Sequence, residues 1–171
     1  MTASALLVAV PEAEAAVAVH RIRHDPSAAG GVPAHVTVLY PFLVGPALDR
    51  AEPELGGLFA RHEAFSFRLG RVQRFPQVVW LAPEPDRPFR DLITAVATRW
   101  PEAPPYEGIH DEVIPHLTVA QTDDESVLSG VVADVAGHLP IDARAERVLL
   151  MEEDDGVWRT RAVFPLGMPA Y

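Results

Sequence analysis

The sequence predicts a duplicated domain of mixed strands and helices, and three observations carry that prediction. The chain has 171 residues, enough for one domain or two small lobes sharing a core, and a chain of this length buries about 70% of its unfolded surface. Its apolar content is 49% and its mean hydropathy +0.09, the balance of a folded rather than a disordered chain. A unit of strand, helix and two-strand hairpin occurs twice, once from His35 and once from His116, about 81 residues apart.

Each element follows from local pattern. Ala5 to Val10 is a short apolar run that reads as a buried strand. Pro11, Glu12 and Glu14 open a helix to about His24, with proline in the first turn and acids at the positive end of the dipole. Asp25 to Pro33 is loop by its Pro, Ser and Gly content, and His35 to Leu39 alternates as a strand. A helix over Asp49 to His62 leads to strands at Phe65 to Val72 and Val78 to Ala82, turning near Pro76. Asp86 to Trp100 is helical, and Pro101 to Asp111 is a proline-rich acidic loop. His116 to Gln121 is a strand and Asp123 to Leu139 a helix capped by its own acids. Arg144 to Met151 and Val157 to Phe164 form a hairpin around Asp155-Gly156.

Composition narrows the chemistry. All 14 basic residues are arginine, and there is neither lysine nor cysteine. Schiff-base or adenylated lysine, a P-loop lysine, a thiolate nucleophile, a disulfide and thiolate metal sites are thereby excluded. The formal charge of −10 repels long DNA or RNA, whose binding draws on Lys and Arg, while leaving room for a small anion held by local groups. No basic residue precedes Arg21 and no apolar run approaches about 20 residues, so neither a secretory signal nor a membrane span is expected. The expectation is a soluble, cytoplasmic monomer.

The repeat is marked by His35-Val36-Thr37-Val38 and His116-Leu117-Thr118-Val119, each shortly after a proline, Pro33 or Pro115. Side chains alternate along a strand, so each histidine shares a face with its threonine while the apolar residues take the other face. Two such strands packed about a pseudo-two-fold axis bring two imidazoles and two hydroxyls around one point. One imidazole can then take a proton from a nucleophile while the other gives one to a leaving oxygen, and the hydroxyls can hold a phosphodiester. That chemistry needs no metal, cofactor or covalent nucleophile. Either motif alone would most simply be a structural histidine; two intact copies in matching places of a repeat favour the paired function.

Both motifs, with Leu39-Tyr40-Pro41-Phe42 after the first, Val113-Ile114-Pro115 before the second and the hairpin segment Phe75 to Leu81, resemble the two-histidine phosphoesterase superfamily. The chain is most similar to its 2'-5' RNA ligase and cyclic nucleotide phosphodiesterase branch. The resemblance covers nearly the whole chain. It implies a bilobal α+β fold, with two antiparallel-rich sheets, helices outside and a central cleft lined by the two motif strands. It also implies hydrolysis of 2',3'-cyclic phosphates or related cyclic phosphodiesters of nucleotides or short RNA ends, with His35 and His116 as acid and base and Thr37 and Thr118 on the phosphate. Members often carry an arginine where Gln77 stands and a basic residue near Ala120 and Gln121, so this chain is better suited to a small substrate than to a long RNA. Without lysine, any 2'-5' ligation has to be cyclic phosphate opening run in reverse.

Other residues are candidates of a second rank. Tyr40, Trp80 and Tyr106 lie in or near segments bordering the cleft and can stack on a base, although core packing explains each equally and Tyr40 shares a predicted strand face with Val36 and Val38. Arg161, with Arg159, can face the cleft and hold a phosphate, or simply line an exposed strand face. His20 and His24, spaced i, i+4, and the loop residues His110, Asp111 and Glu112 offer a metal-dependent alternative. A pocket that binds a phosphorylated ligand without turnover is the remaining one.

Overall fold

The computed structural model describes residues 3–167 and contains two four-stranded, wholly antiparallel sheets flanked by helices. Strand β1 (Ala3–Ala9) leads through a 3-10 turn at Pro11–Ala13 into helix α1 (Glu14–His24), a short helix α2 (Pro26–Ala29) and the first motif strand, β2 (His35–Leu39). Helix α3 (Gly45–Ala60), strands β3 (Phe65–Phe75) and β4 (Val78–Glu84) and helix α4 (Arg87–Arg99) follow. The second motif strand β5 (Leu117–Gln121) precedes helix α5 (Glu125–Ala136) and strands β6 (Ile141–Ala145), β7 (Arg147–Asp154) and β8 (Val157–Pro165).

The sheet orders are β2-β1-β7-β8 and β5-β4-β3-β6, so each motif strand is the edge of its own sheet. The duplication is reciprocal in space. The β3–β4 hairpin, which follows the first motif in sequence, pairs through β4 with the second motif strand. The β7–β8 hairpin, which follows the second motif, shares the sheet of the first. Helix α1, between β1 and β2, packs on β5, while α4, between β4 and β5, packs on β2. Val36 and Val38 of β2 and Leu117 and Val119 of β5 belong to one apolar core. Burying these faces in a shared core holds the two edge strands beside each other.

Three elements differ from the sequence expectation. The region from Asp25 to Pro33 contains α2, because the Asp25 side chain accepts from Ser27 N–H as an N-cap and Pro26 fills the first position. Helix α3 starts at Gly45, four residues before Asp49, with proline again in its first turn. The expected strand from Arg144 to Met151 is two strands, since β6 pairs with β3 and β7 with β1. The chain changes sheet at Glu146, whose carbonyl accepts from Leu166 N–H. The Asp155-Gly156 turn forms as expected, both residues having positive φ. Among the described residues no helix is long and apolar enough to cross a membrane.

Candidate active site

Between the edge strands lies a cleft of about 750 Å³ lined by His35, Thr37, His116 and Thr118. The alternation predicted for the motifs holds: His35, Thr37 and Thr118 are half-buried and His116 likewise, while Val36, Val38, Leu117 and Val119 are buried. The two histidines are held in the same way. His35 Nδ1 lies 2.8 Å from the carbonyl of Pro33 and His116 Nδ1 lies 2.6 Å from that of Ile114. A carbonyl only accepts, so Nδ1 carries the proton in each ring and Nε2 is left to act in the cleft.

Burial governs their protonation. Desolvation pulls the His35 pKa down from its ordinary 6.5 to about 4, against the raising effect of the Pro33 hydrogen bond. The nearby Arg21 and His116 charges push it the same way as burial, and Asp25 opposes them. The His116 pKa is also lowered, first by burial and then by His110, with the Ile114 hydrogen bond opposing.

Both motifs end in a β-bulge at the same position. Leu6 pairs with Leu39 and Leu7 with Thr37, leaving Val38 as the extra residue; Val79 pairs with Ala120 and Trp80 with Thr118, leaving Val119. A bulge reverses the side-chain phase beyond it. Leu39 and Ala120 are therefore buried, and Tyr40 and Gln121 join the cleft lining. This corrects the expectation that Tyr40 shares the face of Val36 and Val38.

Tyr106 also lines the cleft, where its phenol shares a hydrogen bond with Thr37 and its N–H donates to the Tyr40 carbonyl at 2.6 Å. Burial raises its pKa, so the phenol stays protonated at neutral pH. It begins a run of three positive-φ residues, Tyr106, Glu107 and Gly108, which turns the loop into the cleft.

Trp80 and Arg161 are elsewhere. Trp80 is only 7% exposed and lies behind the lining, stacked on Phe75 at 4.6 Å and edge-on to His116 at 5.9 Å. It backs the histidine instead of meeting a ligand. Arg161 is the extra residue of a bulge in β8, where Leu150 pairs with Ala162 and Met151 with Thr160. It shares the face of Arg159 and Glu152, opposite to Trp158, and the guanidinium is held by Asp49, Glu52 and Glu152, outside the cleft. His20 bonds Asp134 at 2.5 Å, and among the described residues no three His, Asp or Glu side chains gather into a metal-holding group.

The sequence reading passed over a buried network beside His35. Arg21, 3% exposed, donates to Asp25 at 3.2 Å, to Ser27 Oγ at 3.3 Å and to the Val32 carbonyl at 3.0 Å. Asp25 and Ser27 line the cleft, and Val32 precedes the proline whose carbonyl orients His35. The signal was present as Asp25-Pro26-Ser27, an N-cap followed by a first-turn proline.

Comparison with known proteins agrees with this geometry. The structure is similar to that of E. coli LigT complexed with 3'-AMP, at 18% identity over 96% of this chain and 97% of that one, with a TM-score of 0.67. A Thermus thermophilus protein matches at 20% identity over 99% and 100% of the two chains, also with a TM-score of 0.67. A structure described as a phosphoesterase matches at 17% identity over 97% and 99%, with a TM-score of 0.63. No curated protein sequence matches significantly. The family model described as the 2'-5' RNA ligase superfamily matches residues 10–157. With most of its length matched and two His-x-Thr edge strands facing one cleft, the chain belongs to the 2'-5' RNA ligase superfamily.

Proposed function

We propose that the chain is a phosphoesterase that opens 2',3'-cyclic phosphates of nucleotides or short RNA ends without a metal, using His35 and His116 as acid and base. The supporting observation is the matched pair of imidazoles: each has Nδ1 tied to a carbonyl two residues upstream and lines the same cleft as a threonine hydroxyl. In the reaction, Nε2 of one neutral histidine takes a proton from water as the water oxygen attacks phosphorus. The bond from phosphorus to one ribose oxygen breaks, and the other histidine, protonated on Nε2, gives that oxygen its proton. The product is a nucleoside monophosphate, and solvent restores the two protonation states. Thr37 and Thr118 hold the non-bridging oxygens.

Both histidine pKa values are lowered, so an arriving phosphodiester, an anion, favours protonation of the acid. With a ribose 5'-hydroxyl in place of water as the nucleophile, the same groups break the bond from phosphorus to the 3' oxygen, which takes the proton, and join two ends in a 2'-5' linkage. The test is incubation with 2',3'-cyclic AMP in EDTA, followed by chromatography. Conversion to a single adenosine monophosphate is expected; an unchanged cyclic nucleotide after long incubation contradicts the assignment.

A further inference from the structure

The cleft has a second arm. A cavity of about 490 Å³ adjoins the first and shares His35, Thr37, Tyr40 and Gln121 with it. Its floor is made by Ala3, Ala5 and Leu7 of β1 with Val32, and its wall by Tyr40 and Trp158, whose rings are 6.1 Å apart and tilted by 59°. The strand bearing the indole is tied down from behind, where the Trp158 backbone N–H donates to the Gly30 carbonyl at 2.8 Å, and Gly30 packs against the ring: a Cβ there would sit 3.0 Å from the indole Cδ1 and 2.9 Å from the Gly156 carbonyl oxygen. In the first arm the ring of Phe75 is already stacked on Trp80, and that of Tyr106 packs against His110.

The charge of this lining is one-sided. Neither arm is lined by an arginine, and the chain has no lysine, whereas Asp25, Glu112 and Glu153 all contribute. Asp25 is matched by Arg21 and Glu112 by Arg90. Glu153 accepts the Gly156 N–H and has no cationic partner among the described residues. One phosphodiester charge can be met by a protonated histidine. A second phosphate in the Trp158 arm would meet Glu153 with nothing to offset it, a repulsion worth on the order of tenfold in affinity at a few ångströms.

We propose that the Tyr40–Trp158 arm is a subsite for the uncharged, ring-bearing part of the substrate, a nucleoside without a 5'-phosphate, and that Glu153 excludes a second phosphate there. The assignment rests on the phosphoesterase reading for which group sits at the histidines. Binding is the readout, so the two can fail separately.

The experiment is calorimetry with adenosine 3'-phosphate and adenosine 3',5'-bisphosphate, which differ only in the 5'-phosphate. Wild type is expected to bind the monophosphate on the order of tenfold more tightly. Glu153→Gln, which keeps an acceptor for the Gly156 N–H, narrows that ratio, and Glu153→Arg closes or inverts it. Trp158→Ala weakens both ligands at least about fivefold through lost stacking, and Gly30→Ala acts in the same direction by displacing the indole. Equal or tighter binding of the bisphosphate by wild type, a ratio unmoved by either Glu153 variant, or binding of neither ligand overturns the proposal. A chain with the expected preference that opens no cyclic phosphate overturns the phosphoesterase reading alone.

Discussion

Val38 and Val119 occupy the same place in the two halves of the molecule: each is the last residue of its motif, buried, and the extra residue of a β-bulge. The pseudo-symmetry therefore extends beyond the matching histidines and threonines to the backbone irregularity that follows them. Its consequence is to turn Tyr40 and Gln121 onto the cleft. Pseudo-equivalent positions thus carry different side chains, an aromatic ring in one half and an amide in the other, and this distinguishes the two sides of an otherwise symmetric site.

The Tyr106–Thr37 hydrogen bond is expected to orient the threonine hydroxyl toward the phosphate. Tyr106→Phe removes the bond while keeping the ring against His110, and should lower kcat/KM by about 2- to 10-fold, the worth of one hydrogen bond. Steady-state kinetics on 2',3'-cyclic AMP, with thermal unfolding as control, check this. An unchanged kcat/KM would show that Thr37 needs no orientation from the loop.

Arg21 and Asp25 form a buried ion pair whose members are 3% and 8% exposed. Arg21→Met leaves the Asp25 carboxylate without its counter-charge and should cost roughly 3–5 kcal/mol in chemical denaturation. The double variant Arg21→Met with Asp25→Asn removes the stranded charge and should recover part of that loss. A single variant as stable as wild type would mean that the carboxylate is solvated there.

The lowered histidine pKa values set the direction of pH dependence. Catalysis needs one neutral and one protonated imidazole, and in the free protein both values lie below 6.5, that of His35 at about 4. The kcat/KM profile is therefore a bell on the acid side of 6.5, falling as pH rises because the acid loses its proton. Stability moves the other way. The unfolded chain takes up a proton at His35 near pH 6.5, which the folded chain resists until about 4, so stability is full above 6.5 and is lost as pH falls through that window, by up to about 3 kcal/mol. His35→Gln should flatten this part of the loss. A kcat/KM maximum above pH 7, or an equal acid loss in the variant, would contradict the burial of these rings.

Much of this site was legible in the sequence because it depends on alternation and repetition. The pattern His-apolar-Thr-apolar can bury its apolar face only by presenting the imidazole and hydroxyl together, and two copies predict a meeting point. The bulges are not legible, since an extra residue in a strand is fixed by the partner's register and leaves no local signature, and this hides the side of Tyr40; Arg161 keeps its alternation with Trp158, but alternation alone does not say which face of β8 meets the cleft. The choice between cleft and core stays open for Trp80 in the sequence, because a tryptophan beside a cleft and one behind its lining leave the same local pattern; its burial decides for the core. The β6–β7 boundary is hidden because no glycine or proline interrupts Ile141 to Asp154, and only the pairing shows that the segment serves two sheets.

The central claim is that His35 and His116 are the acid and the base, and single-site variants test it most directly. Initial rates of 2',3'-cyclic AMP opening in EDTA are measured for wild type, His35→Ala and His116→Ala, with circular dichroism confirming the fold. Each substitution removes one proton-transfer partner, so each should lower kcat by about 10²–10⁴-fold with the wild-type rate insensitive to EDTA. A variant that keeps a wild-type rate, or a wild type silenced by EDTA, would contradict the account.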